Sequence, residues 1–259
     1  MSTRDEAQET EGGPTEAEDD AEYQRQLALF VNSSTEKGIE LVKIGEIIAQ
    51  LPHREAFLDI GAGGGDLTIP VSQSFKETVI VEPNRKQAQF LRRRCPHFTV
   101  HNEAWEAIDL GAKRFSLVLC SHVLYYIHEG GWLSSIKKMH AHLAPGGRIA
   151  IVLQSPLGQL AEFFKRFTDY DVSILELWRD LIKLYGDDAV EVRYFVNEIW
   201  TETLEDMVDI GLFLLIDPAF KHRRDEIRDY FRTNHSTENG YRLTQDDILL
   251  VVKRRPGDP

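Results

Sequence analysis

The run Leu58-Asp59-Ile60-Gly61-Ala62-Gly63-Gly64-Gly65-Asp66-Leu67-Thr68 constrains the fold of this chain more than any other stretch. Apolar residues lead into an acid and three alternating glycines, a helix-like segment follows, and a second apolar segment, Val79-Ile80-Val81, ends in Glu82, 21 residues after Gly61. That order describes a strand, a tight turn, a helix and a parallel strand whose terminal carboxylate can hydrogen-bond the hydroxyls of a ribose. The glycine spacing then separates two kinds of nucleoside ligand. In G-x-G-x-x-G the third glycine lets the helix pack closely, and a pyrophosphate sits on the helix N-terminus. Here the spacing is Asp59-x-Gly61-x-Gly63-x-Gly65, with Asp59 ahead of the first glycine and Asp66 at the start of the expected helix. Two acids so placed would repel a pyrophosphate, whereas a zwitterionic nucleoside carrying an ammonium fits.

With this motif the chain resembles, from about Ala56 to Leu153, the class I methyltransferases that use S-adenosylmethionine. The resemblance implies an α/β fold with a Rossmann-like, seven-stranded and mostly parallel sheet. It also implies S-adenosyl-L-methionine as cofactor and S-adenosyl-L-homocysteine as product. In that family the tip of the third strand carries an acid for the adenine amine, and Glu103 stands there beside Ala104 and Trp105. Trp105 reads either as a cover for the adenine ring or as an ordinary core tryptophan.

The apolar periodicity supports the same architecture. Ile39, Val42, Ile47, Ile48 and Leu51 recur at helical spacing, predicting a helix over 38–51 that Pro52 ends. Strands are expected near 56–60, 78–82, 97–101, 115–120 and 148–153, with helices near 66–74, 84–94 and 131–143. After Pro145-Gly146-Gly147 the pattern changes. Segments 157–168 and 173–184 read as helices inserted after the fifth strand as a cover over the ligand edge. A helix over 203–210 is expected to end at Gly211, followed by a strand over 212–216, a helix over 218–232 and a last strand over 247–253.

Net charge separates partners. Residues 1 to 22 hold nine acids against Arg4 and account for -8 of the total of -12, which reads as a disordered acidic tail. The remaining -4 does not suit a surface built for a polyanion, so nucleic acid is not expected as substrate. No apolar stretch has membrane-spanning length and no signal-peptide pattern opens the chain, so no membrane partner and a cytoplasmic location are expected. Cys95 and Cys120 read as free thiols. The 259 residues, 42% hydrophobic, are expected to form one domain over 23–259. Within it lie an N-terminal lid and helix (23–52), a cofactor core (53–156), a substrate cover with sheet completion (157–240) and the last strand (241–253). A monomer is the expected state, because lid and cover hide the active edge.

In an open α/β sheet, ligands lie outside the carboxyl ends of the strands. The tips there are Gly61 to Gly65, Glu82, Asn102 to Trp105, Ser121 to Tyr126 and Gln154-Ser155. A narrower resemblance adds residues outside the cofactor motif. Tyr23, the run Phe30 to Glu36, Val81-Glu82-Pro83 with Gln87, His122 to Ile127 and Asp246 to Val252 look like the corresponding segments of histamine N-methyltransferases. Carried over, this makes Glu82 the ribose ligand, Gln87 a cofactor contact and Ser121 a lining residue of the cofactor's base. It places Tyr23, Glu36, His122 and Asp246 in the substrate pocket. Those enzymes have a glutamine at the place of His122 and an asparagine at that of Asp246, the side chains that orient histamine, so histamine itself is not the expected substrate.

The expected chemistry is methyl transfer to a nitrogen of a small heteroaromatic metabolite, imidazole-like or azine- or pteridine-like. Such a transfer needs an unprotonated nucleophile held about 3 Å from the methyl carbon. Glu36, His122 and Asp246 are the residues to orient it, with His122 or a carboxylate removing the proton. Tyr125, Tyr126 and Trp178 would supply flat walls for a planar ring. No Cys or carboxylate group joins His97 and His101, or His140 and His142, at ligand spacing, so no metal is expected. Two alternatives stand beside this reading: a protein or peptide methyltransferase, and a non-catalytic protein that binds the nucleoside.

Overall fold

The computed structural model describes residues 16–127, 131–169, 174–215 and 218–255. Two compact units divide the chain: Met1–Ser33 with Trp200–Tyr241, and Ser34–Ile199 with Arg242–Pro259. In the smaller unit, α1 (Glu16–Ser33), α8 (Leu204–Leu215) and α9 (Arg224–Asn234) pack together, and β7 (Ser236–Thr237) pairs with the first residues of β8 (Gly240–Lys253). Arg25 and Arg224 converge on the buried Asp209, each 2.7 Å from one of its oxygens, and Phe30 meets Phe213 with centroids 5.6 Å apart. The part of the expected acidic tail from Glu16 onward is thus the start of a helix, while residues 1–15 lie outside the described residues. Residues 212–215 of the strand expected over 212–216 are the last turn of α8, which runs through Gly211, and residue 216 lies outside the described residues. A single glycine costs a helix only about 1 kcal/mol, and the buried Met207, Val208, Leu212 and Leu215 outweigh that.

The larger unit is built on one sheet. Its strands are β1 (Ala56–Ile60), β2 (Glu77–Val81), β3 (Thr99–His101), β4 (Phe115–Ser121), β5 (Leu143–Gln154), β6 (Val190–Thr201) and β8, in the order β3-β2-β1-β4-β5-β8-β6. The first five are mutually parallel and β8 runs antiparallel to β5, so the expected seven-stranded, mostly parallel sheet is present. Parallel strands joined by crossover helices are covered on both faces and read as unbroken apolar runs, which is why β1 is buried throughout. Leu58, Val118, Ile151 and Leu250 face α5 (Trp132–Ala141) and α7 (Ile174–Tyr185). Phe57, Leu117, Leu119 and Val251 face Ile44 and Ile47 of α2 (Glu36–Ala49). Each fully buried aliphatic side chain of this kind contributes about 1.5–3 kcal/mol.

Three features depart from the sequence reading. The first crossover helix, α3 (Thr68–Ser72), starts two residues past Asp66, because Gly61 to Leu67 form the turn itself. Of the helical pair after β5, α6 (Gln159–Phe167) and α7, the second differs from the expected cover: Ile174, Leu177 and Leu181 make α7 a crossover helix on the sheet face. An unexpected strand, β6, closes the sheet, with Phe195, Asn197 and Ile199 inward and Val192, Tyr194 and Val196 outward. Among the described residues no helix is long and apolar enough to cross a membrane.

Candidate active site

The glycine turn leaves β1 and is fastened from β2. Glu82, at the tip of β2, accepts hydrogen bonds from Gly63 N and Asn84 N, each at 2.8 Å, while Asn102 Nδ2 donates to the Glu82 carbonyl at 2.9 Å. Gly61 has a φ of 73°, and a Cβ there would collide with Val123. Only glycine lets the turn pass so close to the segment after β4. The expected site residues Asp59, Gly61, Gly63, Gly65 and Glu82 come together here. Asp59 is buried and accepts from Thr68 Oγ1 at 2.6 Å. Burial, helped by the neighbouring Glu82 charge and opposed by the Thr68 hydroxyl, pushes its carboxyl up to about 7.

Gln87 lies one turn into α4 (Arg85–Arg94), where Asn84 caps the helix by accepting from Lys86 N and Gln87 N. Glu103 and Ala104 are exposed at the tip after β3. Trp105 is packed in the core: it is 3% exposed, its Nε1 donates to Ser135 O, and Lys138 stands 4.6 Å from its ring. The core reading of that residue is the one its packing supports.

A second cluster joins α2, β4 and β8. The backbone N–H of Glu36 donates to Ser34 Oγ, which leaves its carboxylate free to accept from Gln245 Nε2 and to meet Lys37 Nζ at 2.7 Å. Glu40, one turn on, accepts from Ser121 Oγ at 2.8 Å and His122 Nε2 at 3.2 Å, with Lys37 Nζ at 3.3 Å. His122 reaches this cluster because its backbone is left-handed, φ 55°. Val118 and Cys120 face α5, and strict alternation would send residue 122 the same way. The positive φ instead turns the ring toward α2, a conformation histidine adopts more readily than most residues.

Burial acts to lower the imidazole's pKa, but Glu36, Glu40 and Asp247 overcome it and raise it to about 9. Burial likewise opposes ionisation of Glu40, and its hydrogen bond to His122 and the Lys37 charge overcome that, holding it near 2. Glu36, Glu40 and His122 place their ligand atoms within 4.8 Å of one another, a spacing a metal ion could use. Lys37 already sits between the two carboxylates, and His122 Nε2 faces them as a donor, so side chains balance the charge there.

Behind Glu36 lies Asp247, fully buried, accepting from Asn197 Nδ2 and from Gln245 Nε2 at 3.1 Å. Burial pushes Asp247 up to about 7. Its folded pKa therefore lies above the unfolded value near 3.8, so the native state binds more protons between pH 4 and 7 and loses stability as pH rises through that window. Thermal melts should show Asp247→Asn with a shallower fall of Tm from pH 5 to pH 8 than the wild-type chain; parallel curves would contradict the assignment.

Asp246 occupies the opposite face of β8. Tyr194 of β6 donates to Asp246 Oδ1, and Gly158, at φ 95°, leaves the room Asp246 Oδ2 occupies; a Cβ there would collide with it. Burial raises the Asp246 carboxyl, and no cation pairs with it among the described residues. Tyr125 is half-buried, its hydroxyl oxygen accepts from Gln154 N, and its ring lies 6.1 Å from the His122 ring. Tyr126 and Trp178 are exposed, and Trp178 on α7 is not brought to either cluster. Tyr23 lies on α1 in the smaller unit, with its side chain outside the described residues.

Lys37, Glu40, Tyr194, Asn197, Gln245 and Asp247 were not singled out by the sequence reading. Glu40 alone carried a signal: it lies four residues after Glu36, on the same helix face.

A family model described as a methyltransferase domain matches residues 34–194. No curated protein matches the sequence. Among solved structures, protein BH2331 of Bacillus halodurans is 16% identical with a TM-score of 0.59, covering 83% of this chain and 98% of its own. The YcgJ protein of Bacillus subtilis is 15% identical, with a TM-score of 0.56 and coverage of 82% and 98%. The plantazolicin methyltransferase BpumL, solved in complex with S-adenosylhomocysteine (SAH), is 9% identical with a TM-score of 0.56, covering 91% of this chain and 89% of its own. At these identities the likeness is one of fold.

Proposed function

We propose that this chain, which belongs to the methyltransferase domain family, transfers the methyl group of S-adenosylmethionine to a nitrogen of a small heteroaromatic metabolite, imidazole-like or azine- or pteridine-like. The observation that carries the reading is the pairing of two sites on one sheet edge. A glycine turn fastened by Glu82 lies at the tips of β1 and β2, and a protic, partly aromatic cluster lies at the ends of β4 and β5 and beside the middle of β8. The first suits the cofactor: Glu82 keeps lone pairs for ribose hydroxyls after accepting from Gly63 and Asn84, and the space above Gly63 is open. Bound there, S-adenosylmethionine supplies an electrophilic methyl group on a sulfonium.

The protein's own part is positioning and proton handling. A planar ring lies against Tyr125, and its N–H is held by Asp246, whose carboxylate Tyr194 and Gly158 fix in one orientation. Burial raises the proton affinity of Asp246, which suits it to take this N–H proton as a second ring nitrogen, whose free lone pair faces the methyl group, is methylated. His122 is unsuited to that task, because Glu36 and Glu40 keep its ring protonated at neutral pH. Its role as base, open on sequence grounds, passes to the carboxylate.

Release of S-adenosylhomocysteine measured against a panel of nitrogen heterocycles and peptides tests the reading. Turnover is expected with heterocycles and not with peptides. Asp246→Asn and Glu36→Gln should each lower turnover at least tenfold while cofactor affinity stays within about twofold, since neither residue touches the glycine turn. Unchanged turnover in both variants would remove the pocket assignment.

A further inference from the structure

We infer, resting on the glycine turn as the place of the cofactor, that cofactor binding is coupled to proton release: the unliganded protein keeps a proton on Asp59, and the ammonium at the cofactor's amino-acid end displaces it into solvent.

Two buried carboxylates meet under the turn with no cation between them. Gly61 N donates to Val81 O at 2.8 Å, and the register pairs Asp59 with Ile80, two residues before Glu82, so the end of β1 lies against the tip of β2. Their partners are all neutral. Asp59 Oδ2 accepts from Thr68 Oγ1 of α3, its Oδ1 has no partner among the described residues, and Glu82 accepts from Gly63 N and Asn84 N. The other groups that act on Asp59 do not supply the missing charge. From α2 come Lys37 and Glu40, and Lys37 is already held 2.7 Å from Glu36 and 3.3 Å from Glu40. From β4 comes Cys120, a buried thiol whose own ionisation Asp59 opposes. Placing two like charges side by side away from water favours keeping one of them neutral. Two backbone N–H groups serve Glu82 and a single hydroxyl serves Asp59, so the proton resides on Asp59. The rise of its carboxyl to about 7 agrees with that placement.

The cofactor brings the positive charge that the pair lacks. With the ribose on Glu82 and the adenine toward Glu103 after β3, the 5′ substituent runs the other way, over β1, whose distance from β2 is about 4.8 Å. The space above Gly63 is open for it. The amino-acid end, joined through sulfur at the 5′ carbon, then lies above Asp59. An opposite charge at short range holds a carboxyl ionised, so Asp59 changes from acid to carboxylate, its proton passes to the buffer, and the cofactor's ammonium keeps its own. Acid therefore opposes binding, because each cofactor must displace a proton from a fully protonated Asp59.

Calorimetry on the full-length protein tests this. At pH 7, titrations of S-adenosylhomocysteine in phosphate and in Tris, buffers of different protonation enthalpy, are expected to show release of about half a proton per molecule bound, the fraction of Asp59 protonated there. Affinity should rise about eightfold from pH 6 to pH 7.5. 5′-Methylthioadenosine keeps the nucleoside and the thioether but lacks the amino acid, and should bind without proton release. Asp59→Asn, which keeps an oxygen for Thr68, should abolish the release and flatten the pH dependence, while Asp247→Asn, a change at the other carboxyl raised to about 7, should retain both. Binding of S-adenosylhomocysteine to the wild-type protein without proton release, equal release with 5′-methylthioadenosine, or release that persists in Asp59→Asn would overturn the inference and leave the cofactor site standing. Absence of binding at every pH would overturn the site together with it.

Discussion

Glu82→Ala is expected to weaken cofactor binding by about 100-fold or more, the largest functional loss from any single substitution at the glycine turn. The carboxylate has two tasks. It accepts from Gly63 N and Asn84 N, which ties the turn after β1 to the start of α4, and its remaining lone pairs face the place of the ribose hydroxyls. A hydrogen bond to a charged group is worth about 1.5–3 kcal/mol, and two such bonds to a ribose give the stated factor even at the low end. Titration calorimetry with S-adenosylhomocysteine measures it. Glu82→Gln, which keeps one acceptor oxygen, should fall between the two. Because the Glu82 charge contributes to raising Asp59, both variants should also lower the Asp59 pKa. Affinity within threefold of wild type in Glu82→Ala would show that the nucleoside is held elsewhere.

The turn was legible because the residues that make it are nearly contiguous. A strand, three spaced glycines and a carboxylate at the next strand's tip carry their geometry in their spacing, and the structure needed only to close Glu82 onto Gly63. β1, β2, β4 and β5 were legible for a related reason: buried parallel strands are apolar on both faces. β6 lacked that signature. Glu191, Arg193 and Glu198 interrupt its alternation, and its place beside β8 depends on a pairing between residues some 50 positions apart, as in the Asn197–Asp247 hydrogen bond. The same distance hid much of the second cluster. Nothing in the local sequence brings Tyr194 to Asp246 or Gln245 to Glu36, because those meetings follow from the order β5-β8-β6 and from where α2 lies on that face. Trp105 and Trp178 show the converse. Both are large aromatics assigned to a ligand from sequence, yet one packs under α5 and the other points outward from a crossover helix.

Glu40→Ala should cost about 3 kcal/mol of stability, the low end of the range for breaking a buried ion pair, since Lys37 keeps partial contact with water. In a domain of this size that is a fall in Tm of roughly 6–12 °C. The loss arises from what remains: Lys37 left with Glu36 alone, Ser121 Oγ without its acceptor, and His122 facing a single carboxylate at 3.7 Å. Glu40→Gln separates the contributions, because an amide oxygen can still accept from Ser121 while the negative charge is gone. The pH dependence then identifies the charge as the source. The folded pKa of Glu40, about 2, lies below its unfolded value of 4.5, so its contribution is fully present above pH 4.5 and is lost as pH falls through 2. The stability gap between wild type and Glu40→Gln should therefore be widest near neutral pH and close in strong acid. His122 adds the opposite limb. Its folded pKa is raised, so the stabilisation it draws from Glu40 and Glu36 is present below pH 6.5 and disappears as pH rises through 9. The two limbs together predict a plateau between about pH 5 and 7 in the difference between the two proteins. A difference that stays constant from pH 3 to pH 10 would mean that Glu40 acts by packing and hydrogen bonding, with its charge contributing nothing.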